Sequence, residues 1–457
     1  MRIAFLTQYF DPEPAIKLTA LVQRLVTEGH EVEVLTSLPN LPRGRLYEGY
    51  RLTSLMHDDR LGATVLRTFV WPYRGRVIWK RIMHLASFAL SACIYCWRLR
   101  EFDLLYVYHP PLTISIPAML LSVKRRKPML YDVQDLWPQA GLAAGAIRHG
   151  MLYRLINKWA KFIYKKADHI TVIAPEFKAT LVAAGVPAEK ITVIPNWTDE
   201  CCFEPKPPAD SRGRFGIPEE VFVVMYAGNF GSSHGVGTIL EAAGLLQDRD
   251  DIFFVFSGSG AEYNQCIKWA DNAMLPNVRF LGYLEQRSDL PWLYACADIM
   301  LVHLRRSPSG AVSVPSRLLA YMACARPVLA CCEGAPLNLV QAAGCGIACE
   351  PENPSTLAAA IACASEDRSS LREMGAKGRL YYNQTLSARQ TTERLMFLIR
   401  SLSHAPSAQQ PASAQPFRCK PCGPQNPLEP GIPVLANRAA STAPSASATI
   451  LPQHAKK

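Results

Sequence analysis

Short apolar runs alternate with amphipathic stretches along most of this chain. Residues 1–10 read as a buried strand that DPEP (11–14) breaks, and Leu18, Leu21, Val22 and Leu25 then fall on one face of a helix running to about Glu28. Gly29 supplies the stop, and HEVEVLT (30–36) returns as a strand. Strand, helix and strand within about 36 residues make a βαβ unit, the start of a parallel sheet. Further apolar runs at 103–109, 128–135, 169–174 and 191–196 extend it.

A polar, Pro-rich stretch over 206–220 reads as a linker, after which the alternation restarts. Strands are expected at 221–229, 252–258, 277–283, 297–304 and 326–331, with a helix over 238–246. The fold class is therefore α/β: two facing Rossmann-like domains with parallel sheets. The expected boundaries are 1–200 and 206–403, with a ligand in the cleft at the strand C-termini. Beyond about residue 403 the periodicity fades into Ala, Pro, Ser and Gln, and 404–457 reads as a disordered tail.

Charge changes the picture in one place. The formal net charge is +11, and residues 60–100 hold Arg60, Arg67, Arg74, Arg76, Lys80, Arg81, Arg98 and Arg100 with no Asp or Glu. Inside that window, Ile82–Trp97 lacks any charged residue and is shorter than the roughly 20 residues of a spanning helix. Flanking basic residues and Trp71, Trp79 and Trp97 instead suit a helix lying on an anionic membrane surface. A buried helix with solvated neighbours is the alternative. Nothing resembles a nucleic-acid module, so nucleic acid is not an expected partner. The 14 cysteines sit mostly in apolar surroundings and fit a reducing cytoplasm, and Cys419–Cys422 stands as an unaccompanied CxxC. The N-terminus has too short an apolar run for a signal peptide.

Several turns carry candidate chemistry. YAGNFGSSHGVG (226–237) places Gly228, Asn229 and His234 at a strand end before a helix, where backbone N–H groups can meet a diphosphate. Gly258 and Gly260 mark a second such turn. In SGAVSVPSRLLAYMACARPVLA (309–330), Gly310 lies in a loop leading to Ser316 and Arg317, and the arginine projects from the first helical turn toward phosphate. Asp132 and Asp135, ending a strand in YDVQD, either meet acceptor hydroxyls, serve in proton transfer, or cap the turn. Tyr9 and Asp11, just past the first strand, are candidate acceptor contacts.

These segments, with LTSLPNLPRGRLYEGYR (35–51), YVYHPPLT (106–113), YDVQDLWPQ (131–139) and VIPNWTD (193–199), resemble the family 4 retaining glycosyltransferases of GT-B architecture. The likeness is to the branch that builds colanic acid and related exopolysaccharides. The resemblance implies a nucleotide-sugar donor held by the second half, an acceptor held by the first, and no metal; no other cofactor is expected, and a lipid-linked acceptor would explain both the basic window and the apolar helix. That window and helix also lead to an expected peripheral place on the cytoplasmic face of the plasma membrane. It also brings His109 forward as a catalytic candidate, although it stands one place after the family's column, at Tyr108. The two glutamates usual in the family are replaced by Val312 and Ala320, and its glycine-containing first loop by DPEPAIK (11–17). Catalytic sugar transfer is the expected function. A non-catalytic sugar-nucleotide-binding relative, acting as a partner of another glycosyltransferase, is the alternative. A dinucleotide-dependent oxidoreductase is excluded because the first strand is not followed by GxGxxG.

Overall fold

Apart from one polar edge strand, the strands are mostly apolar runs of three to eight residues, as parallel strands are when helices cover each side. In the first half they form β1 (Arg2–Leu6), β2 (Glu31–Ser37), β3 (Leu55–Arg60), β4 (Ala63–Thr68), β5 (Leu104–His109), β6 (Met129–Val133), β7 (His169–Val172) and β8 (Ile191–Val193). Their order in the sheet is β3-β4-β2-β1-β5-β6-β7-β8. The second half contributes β9 (Phe222–Asn229), β10 (Ile252–Ser259), β11 (Val278–Gly282), β12 (Ile299–His303), β13 (Val328–Cys331) and β14 (Gly346–Cys349). Their order is β11-β10-β9-β12-β13-β14, parallel throughout. This computed structural model describes residues 1–402 apart from positions 43, 76, 144–146, 148–149, 208–210 and 286. The tail expected over 404–457, with Cys419 and Cys422, lies outside the described residues.

Two features depart from the periodic reading. β3 pairs antiparallel with β4 through the two-residue turn Leu61–Gly62, where both residues have positive φ (57° and 78°). That is the turn geometry that matches strand twist in a hairpin. The polar run HDDR in β3 conceals an edge strand exposed on one side.

The second departure is the helix Ala388–Leu402 (α9), expected with the second half. Its Leu395, Met396, Leu398 and Ile399 are buried with Ile3, Phe5, Val34 and Leu104 in the core of the first. Glu200 fixes this crossing, accepting from the Tyr382 hydroxyl at 2.9 Å and the Ala388 N–H at 2.7 Å.

The helices that matter for the site follow strand C-termini. In the first half, Ile16–Thr27 (α1) follows β1, and its Ile16 and Ala20 pack on the core of the second half. Also in the first half are Ile78–Tyr95 (α2), Ser115–Arg125 (α3) and Met151–Lys166 (α4). In the second, Val236–Leu245 (α5) follows β9, Pro308–Val312 (α6) and Ser316–Ala323 (α7) follow β12, and Arg368–Tyr381 (α8) comes after the last strand. Val312, in α6, packs on the core of the first half, and the Asn338 amide donates to Glu176 across the junction at 3.1 Å. These contacts come from loops and helices after strand C-termini, so the two sheets present those edges to each other.

β9 and β10 remain paired to their last residues, with Gly258 opposite Gly228. A Cβ on Gly258, whose φ is +139°, would lie 1.8 Å from the Gly228 carbonyl oxygen. Replacing Gly258 by Ala must push these strand ends apart. We expect Gly258→Ala to cost about 3 kcal/mol of unfolding free energy, read from the midpoint of a urea titration.

Candidate active site

The second half supplies the clearest arrangement. Arg317 rises from the first turn of α7 and is 9% exposed. Its Nη1 donates to the Tyr226 hydroxyl at 2.9 Å, and Nη2 donates to the His303 carbonyl and to His234 Nδ1, both at 3.2 Å. The guanidinium lies 4.8 Å from the Tyr226 ring centroid, a cation–π contact. Among the described residues no carboxylate pairs with Arg317, and its Nε–H is buried without a partner. A Cβ on Gly228 would meet Nη1 at 2.8 Å, so glycine there lets the strand end approach the cation. Accepting from Arg317 leaves the His234 imidazole neutral, with its proton on Nε2. Burial, then the charge of Arg317, lowers its pKa to about 4.

Two helix N-termini open near this cation. α5 begins after Gly235 in the left-handed conformation and α7 begins after Pro315, and neither has a side-chain cap. Their first N–H groups lack intrahelical acceptors and carry the positive end of the helix dipole. Ser316, the first residue of α7, is exposed beside Arg317. Gly310 has a local role, its N–H donating to the Ser307 hydroxyl that caps α6. Asn229 ends β9, with its carbonyl held by the Tyr226 hydroxyl at 2.6 Å. Gly260 passes so close to the backbone of Phe230 that a Cβ would lie 2.6 Å from it. Gly228, His234 and Arg317 are thus brought together, while Gly258 and Gly260 allow the loops beside them to pack.

The first half corrects two expectations. Asp132 is fully buried and saturated: Lys17 Nζ lies 3.0 Å from Oδ2, and the Tyr106 hydroxyl donates to Oδ2 at 2.6 Å. The Gln134 amide and Thr171 hydroxyl donate to Oδ1 at 2.8 and 2.9 Å. A carboxylate so engaged organises the strand ends and has no lone pair to offer a substrate. His109 is also fully buried, stacked on Tyr131 at 5.5 Å, with both ring nitrogens lacking partners. Burial depresses its pKa to about 3, so it is a neutral interior group. Strand alternation is the cause. His109 pairs with Val133 on the face that carries Tyr131, whereas Tyr108 pairs with Asp132 on the other.

Asp135, just past β6, remains open to solvent, yet surrounding protein raises its carboxyl pKa above the ordinary range. Tyr9 is half-buried near Glu13, Arg74 and Arg81, and burial raises its phenol pKa. Asp11 turns to the sheet edge, 3.8 Å from Arg60, while its carbonyl accepts from Arg67.

Three residues escaped the sequence reading. Lys17, at the start of α1, brings a buried ammonium to the C-terminal edge of the sheet in place of a glycine turn. Glu13 ties that loop to the next, accepting from the N–H groups of Phe10, Asn40 and Leu41, and burial raises its pKa to about 7. His84 of α2 donates from Nδ1 to the Trp71 carbonyl at 2.7 Å and accepts at Nε2 from Gln8 at 3.0 Å. The only sequence signal was the run DPEPAIK, which marks the loop but not its partners.

The apolar window also takes shape. Among the described residues no helix is long and apolar enough to cross a membrane. α2 exposes Ile78, Trp79, Ile82, Leu90 and Ile94, and neighbouring α3 exposes Ile116, Leu120 and Val123. α4 adds Met151, Leu152 and Leu155 beside Arg154, Lys158, Lys161, Lys165 and Lys166, with no acidic residue. Not every basic residue of the window is free: Arg67 is buried on Asp58 at 2.9 Å, and Arg60 shares that carboxylate at 3.2 Å.

Comparison with known proteins gives this geometry a family. Residues 14–197 match the glycosyl transferase 4-like domain, and residues 209–381 match the glycosyl transferases group 1. The chain belongs to the GT-B glycosyltransferases. It is 27% identical over 353 residues to the putative colanic acid biosynthesis glycosyl transferase WcaI of Escherichia coli K12, across 75% of this chain and 86% of that protein. It is 31% identical over 234 residues to the probable glycosyltransferase WbjE of Pseudomonas aeruginosa, across 50% of this chain and 58% of that protein. Among solved structures, it superposes on sucrose-phosphate synthase from Thermosynechococcus elongatus with a TM-score of 0.65 at 19% identity, over 88% of this chain and 99% of that one. Anabaena HepE in complex with UDP and glucose gives 0.65 at 19%, over 88% and 100%. Within this glycosyltransferase, Val312 and Ala320 serve as packing residues, the first against the core of the first half and the second inside the core of the other.

The lowered pKa of His234 sets a pH dependence. The folded chain binds fewer protons than the unfolded chain between pH 6.5 and about 4, so this contribution is complete above 6.5 and lost as pH falls toward 4. Thermal midpoints measured across pH 4–7 should fall on the acid side, and His234→Gln should show a shallower fall.

Proposed function

We propose that this glycosyltransferase moves a sugar from a nucleotide-sugar donor to a lipid-linked saccharide acceptor, with retention at the anomeric carbon and without a metal. It would act peripherally on the cytoplasmic face of the membrane, in cell-surface polysaccharide assembly of the colanic acid type. The observation that carries the reading is Arg317, a buried cation with no carboxylate partner among the described residues, beside two uncapped helix N-termini. A diphosphate is the ligand whose charge and oxygens match that set. HepE, of the same fold, has been solved with UDP and with UDP-glucose.

In this reading the second half, 206–403, holds the donor and the first, 1–200, holds the acceptor. Arg317 and the N–H groups of α5 and α7 hold the diphosphate and stabilise the charge that grows on it as the bond to the anomeric carbon breaks. Gly228, Asn229, His234, Gly310 and Ser316 shape the donor's bed. The acceptor hydroxyl oxygen forms the new bond on the same face of the sugar as the departing diphosphate, which preserves the configuration, and releases its proton to Asp135, whose raised pKa suits that transfer. Tyr9 and Asp11 lie on the acceptor side. The apolar faces of α2, α3 and α4, with their basic fringes, rest on anionic lipid and keep the chain where a lipid-linked acceptor is found.

Arg317→Ala should weaken binding of the preferred nucleotide sugar, chosen from a panel of UDP- and GDP-sugars, by about tenfold or more, since a charge-assisted contact is worth roughly 1.5–3 kcal/mol. Unchanged affinity in calorimetry would remove this residue from the site. Transfer assayed with the same panel and a membrane extract tests the activity itself. Nucleotide binding without turnover would instead favour a non-catalytic partner role.

A second test addresses the membrane. Sedimentation with vesicles containing phosphatidylglycerol should carry the wild-type chain down, and Ile82→Glu with Leu90→Glu, both at exposed positions on α2, should leave most of it in solution. Equal sedimentation of both would show that α2 is not the contact.

A further inference from the structure

The opposite edge of the second sheet carries a separate concentration of charge. A recess of about 490 Å³ opens where β12 and β13 begin, the end away from Arg317, and its walls include Arg212, Arg326, Arg368, Arg372, Asp298 and Glu219. Asp298 is already committed. It accepts from Arg212 Nη2 and the Val223 N–H, both at 2.8 Å, and lies 3.5 Å from Arg368 Nη1. Arg212 spends its other terminal nitrogen on the carbonyls of Pro218, Glu219 and Val221. Arg368 also lies 5.5 Å from the Phe222 ring centroid.

The remaining two guanidiniums are not compensated. Arg326 makes one hydrogen bond, from Nη1 to the Ala297 carbonyl at 3.1 Å, and its Nε–H is buried without a partner. Arg372 stands exposed at the rim, and neither residue has a carboxylate within ion-pair distance among the described residues. Burial holds the Arg326 pKa below its ordinary value; Cys324, Asp298 and Cys296 oppose that shift without cancelling it, and the charge of Arg212 adds weakly to it. Desolvating a cation beside a second cation is costly unless an anion sits with them. The volume is that of a small-molecule site.

We propose that this recess binds the phosphoryl group of a small molecule, held between Arg326 and Arg372, as a site separate from the one built around Arg317. Four arginines face it and the nearer carboxylate is already neutralised, so an oxyanion with several acceptor atoms completes the donor set. Free phosphate and a phosphorylated metabolite share this chemistry.

Isothermal titration of the full chain with inorganic phosphate and, separately, with glycerol 3-phosphate tests the assignment. Saturable binding is expected in the wild type and in Arg317→Ala, with affinity reduced at least tenfold in Arg326→Met and in Arg372→Glu. Arg372 is exposed and its side chain makes no hydrogen bond or ion pair among the described residues, so its variant keeps the test valid if Arg326→Met fails to fold. Tighter binding of the ester supports a phosphorylated metabolite, and equal or tighter binding of phosphate supports the free ion. The proposal is overturned if neither probe binds saturably, if Arg372→Glu binds as the wild type does, or if binding disappears in Arg317→Ala alone.

Discussion

Arg317 carries a permanent positive charge into a region from which water is nearly excluded, and only neutral groups meet it there. Burying a cation this way is unfavourable, and the surrounding structure is arranged to tolerate it. Tyr226 offers a hydroxyl and a ring face, His303 a carbonyl, and His234 a lone pair that depends on the imidazole staying neutral. Gly228 leaves the room the guanidinium occupies. Each of these groups lies in the C-terminal half of a parallel strand or just after one, so the sheet's direction fixes where the charge sits. A diphosphate would supply the missing opposite charge, which is why the donor reading begins here.

The first half meets a similar demand differently. Lys17 also brings a buried cation to a strand C-terminal edge, but Asp132 answers it, and Tyr106, Thr171 and Gln134 complete the network. One half therefore keeps an unpaired charge and the other a satisfied pair. The difference is what the proposed division, donor on one half and acceptor on the other, would call for. It also explains why Asp132, a plausible catalytic carboxylate on paper, is a framework residue.

Much of the architecture was legible because parallel strands covered on both sides read as unbroken apolar runs. β3 was not, since HDDR lies on an exposed edge; nor was its hairpin partner β4, and nor was β14, which has no fully buried residue. Arg317, Gly228 and His234 were legible as neighbours of turns, because turn chemistry is local. Lys17 with Asp132 was not, as contacts between residues 115 apart leave no periodic trace. His109 failed by parity, one residue deciding which face of the sheet it meets. The acid-free window overstated its free charge because Asp58, just outside it, pairs with Arg60 and Arg67, and Asp11 also pairs with Arg60.

The return of α9 has a bearing on how the molecule is made. Leu395, Met396, Leu398 and Ile399 belong to the same core as the first strand, so that core is incomplete until almost the whole described chain has left the ribosome. A nascent first half has its sheet residues and α1 but lacks the share of apolar cover that α9 provides, while the second half, emerging later, has both faces of its own sheet supplied locally. Domains usually mature in the order of synthesis. Here the half that begins first is sealed last, and its open face must be kept from other chains throughout elongation.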